Sequence, residues 1–148
     1  LRFYYGDLTE KQFKKIYNKA SKTKGDTSQI LIELLERRLD AIVYRMKFVP
    51  TIFAARQLVN HGHVLVNGKR VNIPSYTASN DDVIELRDQS KQINLVQESI
   101  VSQEREIPEY LEVDSKEFKG RFLRAPLIND VPYPVTMEPN LVIEYYSR

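Results

Sequence analysis

The chain has no cysteine and no tryptophan, and only two methionines and five glycines among its 148 residues. Without a thiol, these residues can form no disulfide, no cysteine-ligated metal centre and no cysteine-based nucleophile. The glycines are scattered instead of gathered into a phosphate-cradling loop, which excludes Walker-type and dinucleotide-binding turns. No stretch reaches the roughly eighteen consecutive apolar residues of a membrane-crossing helix, so no membrane partner is expected. No signal-peptide pattern, internal repeat or low-complexity tract is visible. No Ser-His-Asp set stands in a recognisable motif context. The Asp81-Asp82 pair follows Ser79-Asn80 and precedes an alternating segment, where carboxylates stabilise a turn. The expectation is a protein without catalysis, cofactor or metal.

What is present is charge, unevenly spread. Residues 1–70 carry fourteen Lys+Arg against six Asp+Glu, a net +8; residues 71–148 carry eight against fourteen, a net −6, and together they give the formal +2. The basic half has the sign that displaces counterions from phosphates, whereas the acidic half suits a basic protein neighbour. A chain of this length buries one substantial core or two small domains sharing a seam.

Periodicity predicts the elements. Residues 8–22 read as a helix with a Thr9/Gln12 capping box; Lys11, Lys14, Lys15, Lys19 and Lys22 flank an apolar stripe of Phe13, Ile16 and Tyr17. Those lysines make either a solvated face or a phosphate contact. Lys24-Gly25-Asp26-Thr27 breaks the chain before a long central helix in which Leu35, Leu39, Ile42, Val43 and Met46 share the core face. Arg38 and Arg45, seven residues apart, fall on one flank and Arg37 points away from the core, so guanidinium groups border the stripe. Thr51 caps a second, short helix that stops at Gly62; Ile52, Ala55, Leu58 and Val59 face inward, leaving Phe53, Arg56, Gln57 and Asn60 outside. His63–Val66, Asn67-Gly68 and Lys69–Ile73 form a hairpin with a type I′ turn. Asp82–Arg87, Tyr110–Val113, Glu117–Leu123 and Leu141–Tyr146 read as further strands, with mixed helical character over residues 90–106. The class is α+β, with an antiparallel sheet packed on helices.

The basic stretch from Leu35 to Pro74 holds seven Lys/Arg, both histidines and the Asn-Gly turn, and reads as a platform for RNA. Basic residues of the two helices and the turn would converge if the hairpin folds back on the Arg56 helix. An exposed Phe53 among polar donors can stack on a base, although a phenylalanine more often packs under a neighbour. Taken singly, Arg37 and Arg38 are better read as solvated or as surface ion pairs with Glu36 and Asp40, and only the constellation points to RNA. His61 and His63 form an H-x-H pair without a third ligand at a recognisable spacing, which favours surface or RNA-facing imidazoles over a metal site.

Arg38-Leu39-Asp40, Val43-Tyr44-Arg45-Met46, Ala55-Arg56-Gln57-Leu58-Val59 and Val66-Asn67-Gly68 closely resemble the RNA-binding motif of the S-four family. The resemblance extends through Tyr5-Gly6, Glu10-Lys11-Gln12-Phe13, Lys24-Gly25, Ile73-Pro74-Ser75-Tyr76, Tyr110-Leu111-Glu112-Val113-Asp114 and the closing residues 141–147. Over its whole length the chain is similar to the bacterial-type small-subunit ribosomal proteins of that family.

The resemblance implies a helical domain, of which residues 1–35 are the remainder, joined by the C-terminal segment 125–148. It implies an S-four RNA-binding domain over 36–124, with the motif core at 36–76. It also implies direct binding of small-subunit ribosomal RNA, nucleation of assembly, contacts with neighbouring ribosomal proteins, and a part in messenger RNA entry and decoding accuracy. The expected setting is a ribosome in the cytoplasm or an organelle. The matched RNA-facing candidates are Arg38, Arg45, Arg56, Gln57, Asn60, Asn67, Lys69 and Arg70, with Arg37, Tyr44, Thr51, Phe53, His61, His63, Lys14 and Lys15 beside them.

Two departures qualify the match. Ile52 stands where many relatives carry an arginine after the capping threonine, and Val49-Pro50 replaces a more flexible approach to that helix. The chain also starts partway through the family pattern, which implies a basic leader that in some relatives holds a cysteine-ligated metal. The alternatives are a stand-alone RNA-binding factor of the same motif family or the accessory domain of an RNA-modifying enzyme.

Overall fold

The computed structural model describes residues 10–22, 27–102, 105–127 and 130–131. The Thr9 cap and the strand expected at 141–146 lie outside them.

The first helix, α1 (Glu10–Lys22), buries Phe13, Tyr17 and Ala20 at helical spacing and leaves its lysines in solvent. It packs on α2 (Thr27–Glu36), whose Leu31 and Leu35 are buried in the same apolar cluster. Ala41 and Ile52 complete that cluster from the next two helices. The departure at Ile52 therefore serves packing, because its side chain is spent in an apolar layer. Gln29 Nε2 also ties α2 to the Pro126 carbonyl, at 2.6 Å.

The long central helix does not form as one piece. It breaks at Arg37-Arg38 into α2 and α3 (Leu39–Arg45), with Arg38 extended at φ −65°, ψ 139°. The cause lies forty residues away. Segment 74–78 enters the break, where Leu39 N donates to Tyr76 O (2.9 Å), Asp40 N to Pro74 O (3.1 Å) and Ala78 N to Arg37 O (2.9 Å). These bonds satisfy backbone groups that a helix interruption leaves open, so the break is stable.

Local signals specify the next elements. Thr51 Oγ1 accepts from Ala54 N at 3.0 Å and opens α4 (Ile52–Asn60), which ends ahead of Gly62 at φ +78°. Asn67 (φ 50°) and Gly68 (φ 82°) then turn β1 (Val64–Val66) into β2 (Lys69–Arg70) with the positive φ pair of a type I′ turn. Strands β3 (Val83–Leu86), β4 (Leu111–Asp114) and β5 (Lys119–Phe122) complete an antiparallel sheet of order β2-β1-β3-β5-β4. Between β3 and β4 run a 3₁₀ turn, Asp88–Gln92, and α5 (Asn94–Val101).

Helices α3 and α4 cover one face of the sheet. Leu39, Ile42, Val43, Met46, Ala55, Leu58 and Val59 meet Val64, Val66, Ile84, Leu86 and Phe122 in the main core. Gly120 is required there, since a Cβ on it would stand 2.7 Å from Met46 Cε and 3.0 Å from the Glu112 carbonyl. The opposite sheet face carries Glu112, Asp114, Lys119 and Arg121 in solvent.

Candidate nucleic-acid interface

The arginines nearest the core stripe are occupied by protein partners. Arg45 is 4 % exposed and donates from Nε to Glu36 Oε1 at 2.8 Å; the same oxygen takes the Tyr110 hydroxyl at 2.7 Å. Arg38 is buried with Nε and Nη2 on the two oxygens of Asp40, at 3.1 and 3.0 Å. Burial raises the Asp40 pKa above the ordinary carboxyl value, and Arg38 works against that shift. The expected row of phosphate-facing guanidinium groups at Arg38 and Arg45 is thus replaced by two buried ion pairs. Acidic residues on the same helices provide carboxylates within reach, and a buried guanidinium without one would be costly.

Arg37 also departs from its expected outward course. Its guanidinium donates to Glu33 Oε1 (3.1 Å), Ala78 O (3.0 Å) and Asn80 Oδ1 (3.0 Å), and lies 4.9 Å from the centre of the Phe122 ring. It clamps the end of α2 to the turn before β3. Tyr44 is half-buried, with the guanidinium of Arg105 4.0 Å from its ring centre. Arg105 is itself anchored on the carbonyls of Tyr44 and Val49, at 2.8 and 2.7 Å. Sequence reasoning missed this clamp, because nothing local in Arg105-Glu106 marks it.

Asn67 works mainly for the fold. Its amide donates to Asp82 Oδ1 and accepts from Val83 N, both at 2.9 Å, while Ser79 N binds the other Asp82 oxygen. The hairpin tip is thereby locked to β3, and Asp82 is the turn residue that the sequence suggested.

What remains in solvent is a narrower surface. Phe53 is 53 % exposed, and Gln57, Asn60 and His61 follow it along the outer side of α4. Thr51 is exposed at the start of that helix, although its hydroxyl is engaged in the cap. Lys69 and Arg70 are exposed in the hairpin, with the Arg70 stem lying over Gly62 at the end of α4. Arg56 is half-buried and its charge acts on Asp40. The expected convergence of basic residues from three elements is accordingly divided, with Arg56 directed to α3 and Arg70 to the hairpin base. Lys14 and Lys15 are exposed on α1.

His63 is half-buried with Nδ1 2.7 Å from Ser90 Oγ, and its ring centre is 6.3 Å from that of His61. Burial, then the charges of Arg87, His61 and Arg70, push its pKa below the ordinary imidazole value. Among the described residues, no group of three His, Asp or Glu could hold a metal ion.

A family model described as the S4 domain matches residues 37–84, which hold α3, α4, the hairpin and the start of β3. A second, described as the ribosomal protein S4/S9 N-terminal domain, matches residues 1–36. The chain is 62 % identical over all 148 residues to the small ribosomal subunit protein uS4 of Gluconacetobacter diazotrophicus, and 64 % identical to those of Ruegeria pomeroyi and Granulibacter bethesdensis. In each case the match covers all of this chain and 72 % of the relative. The chain belongs to the uS4 family of small ribosomal subunit proteins. The part matched by the S4 domain includes the exposed α4 surface with Phe53, Gln57, Asn60 and His61, followed by Lys69 and Arg70.

Proposed function

We propose that this chain is a structural protein of the small ribosomal subunit that binds small-subunit ribosomal RNA directly and works by positioning, without covalent catalysis. The observation that carries the reading is identity of 62–64 % over all 148 residues to proteins named as small ribosomal subunit components. An exposed aromatic beside amide, imidazole and basic groups supports it, since structured RNA is recognised through shape, phosphates and stacking of unpaired bases. The contact surface is the outer side of α4 (Phe53, Gln57, Asn60, His61) with Lys69 and Arg70, and the α1 lysines Lys14 and Lys15 add a second basic face. The buried pairs Arg38–Asp40 and Arg45–Glu36 hold the helices that present this surface.

By binding early, the chain nucleates assembly, and it contributes to the messenger RNA entry region and to decoding accuracy. The outer sheet face, where Glu112 and Asp114 stand beside Arg121 and Lys119, offers charged groups of both signs to a ribosomal neighbour. Residues 1–35 with 125–148 act as one helical domain beside the RNA-binding domain 36–124. The bacterial relatives support a ribosome of the cytoplasm, and no observation favours an organellar one. No helix among the described residues is long and apolar enough to cross a membrane.

The test is equilibrium binding to a folded small-subunit RNA fragment around a multi-helix junction, against an unstructured RNA of equal length, over a salt series. The reading expects clear preference for the junction and a steep fall of affinity with salt. Equal, weak binding to both RNAs overturns it.

A further inference from the structure

Strand alternation places a set of charged groups together that no local motif marks. In the register of β2, β1 and β3, Leu65 pairs with Arg70 on one side and Glu85 on the other, while Val64 pairs with Leu86. Residues two apart on a strand share a face, so Leu65, Arg70, Glu85 and Arg87 belong to the side turned away from the helices, whereas His63, just before β1, lines a groove with Ala54, Gln57 and Leu58 of α4. Arg87 N donates to His63 O at 2.9 Å, which fixes the two residues against each other at the base of the hairpin. The result is a cleft of about 630 Å³ lined by Leu65, Arg70, Glu85, Arg87 and Asp88.

Two arginines and two carboxylates line it. Of the carboxylates, Asp88 is held by Lys91 Nζ at 2.9 Å. Among the described residues, neither Arg70 nor Arg87 has a carboxylate within ion-pair distance. Arg87 Nε is buried without a hydrogen-bond acceptor, a costly state for a cationic donor. A guanidinium fork donates side by side to two oxygens of a tetrahedral phosphate, and Arg70 on β2 provides a second cation.

We propose that this cleft is an anion site in which Arg87 and Arg70 clamp one backbone phosphate of the bound RNA. The site rests on the RNA-binding reading and extends its surface from α4 across the hairpin to the end of β3. The charges of Arg87 and Arg70 act on His63, so a phosphate seated between them would favour its imidazolium form.

The experiment uses the full chain and the junction RNA. Arg87→Gln and Arg70→Gln are compared with Lys91→Gln over a salt series, with circular dichroism to check folding. Loss of one phosphate contact is expected to weaken binding by about tenfold at low salt and to flatten the dependence of log K on log salt by about one. Lys91→Gln should leave the salt slope unchanged. Arg70 is an exposed hairpin residue, so its variant keeps the test informative should Arg87→Gln unfold. In parallel, the His63 ring resonances are titrated with inorganic phosphate alone and with RNA. An upward pKa shift with RNA, lost in Arg87→Gln, supports the site. A response to inorganic phosphate with RNA affinity and slope unchanged in both variants means a free-anion site and overturns the RNA assignment. Unchanged affinity, slope and His63 titration overturn the site altogether while wild-type RNA binding stands. If the wild-type chain does not prefer the junction RNA, the broader reading fails first.

Discussion

Replacing Arg45 by alanine removes the cation from a carboxylate that water does not reach. Glu36 is 0 % exposed, and its Oε1 holds both Arg45 Nε at 2.8 Å and the Tyr110 hydroxyl at 2.7 Å. Removing one partner of such a pair leaves a buried charge and costs about 3–5 kcal/mol, a large share of a domain stability of about 5–15 kcal/mol. For a chain of this size that corresponds to a fall in melting temperature of about 10–15 °C. Urea and thermal unfolding followed by circular dichroism measure it. The double variant Glu36→Gln, Arg45→Met should recover much of the loss, because both charges are gone and the amide can still take the Tyr110 hydroxyl. The alternative, that Arg45 faces phosphates as its place on the helix suggests, makes the opposite forecast. An alanine variant that melts within two degrees of wild type but binds RNA tenfold more weakly would refute the buried-pair reasoning.

Other substitutions separate surface from scaffold in the same way. Phe53→Ala should leave stability within about 0.5 kcal/mol while weakening junction-RNA binding by about 1–3 kcal/mol if the ring stacks on a base; filter binding beside a melting curve reads both. Gly120→Ala should destabilise by about 1–3 kcal/mol, because the new Cβ meets Met46 and a carbonyl that cannot retreat, and urea denaturation should show a lower midpoint at unchanged slope. The lowered pKa of His63 gives a pH effect of definite sign: below about 6.5 the unfolded chain takes up a proton that the native imidazole refuses, so stability falls on acidification through that window. His63→Gln should lack this component, and unfolding midpoints from pH 7.5 to 5.5 that run parallel in both proteins would contradict it.

Much of the site's frame was legible in the residues. Thr51, Gly62 and the Asn67-Gly68 pair act on their own backbone neighbourhood, so the limits of α4 and the turn of the hairpin follow from local chemistry. The inward set Ile52, Ala55, Leu58 and Val59 and the outward Phe53 follow from helical spacing, and all five stand where spacing puts them. The resemblance to the S-four family was likewise legible, because its motifs are contiguous short strings that cover most of the chain.

Distance in sequence hid the rest. The apolar stripe runs unbroken from Leu35 to Met46, yet the helix breaks at Arg37-Arg38 because segment 74–78 supplies partners for the interrupted backbone. Spacing puts Arg38 and Arg45 beside the core but cannot say whether a carboxylate awaits them; Asp40 is two residues away, while the network around Arg45 is completed by Tyr110. Arg87 faces His63 only through the register of β1 on β3, and Arg105 reaches Tyr44 only once α5 has carried the chain back. By itself the sequence determined the charged halves, the capped helix, the hairpin and the family, since each depends on neighbouring residues or contiguous patterns. Tertiary structure alone decided which cations are consumed by the fold and which stay in solvent, because an ion pair forms where the folded chain brings its partners together.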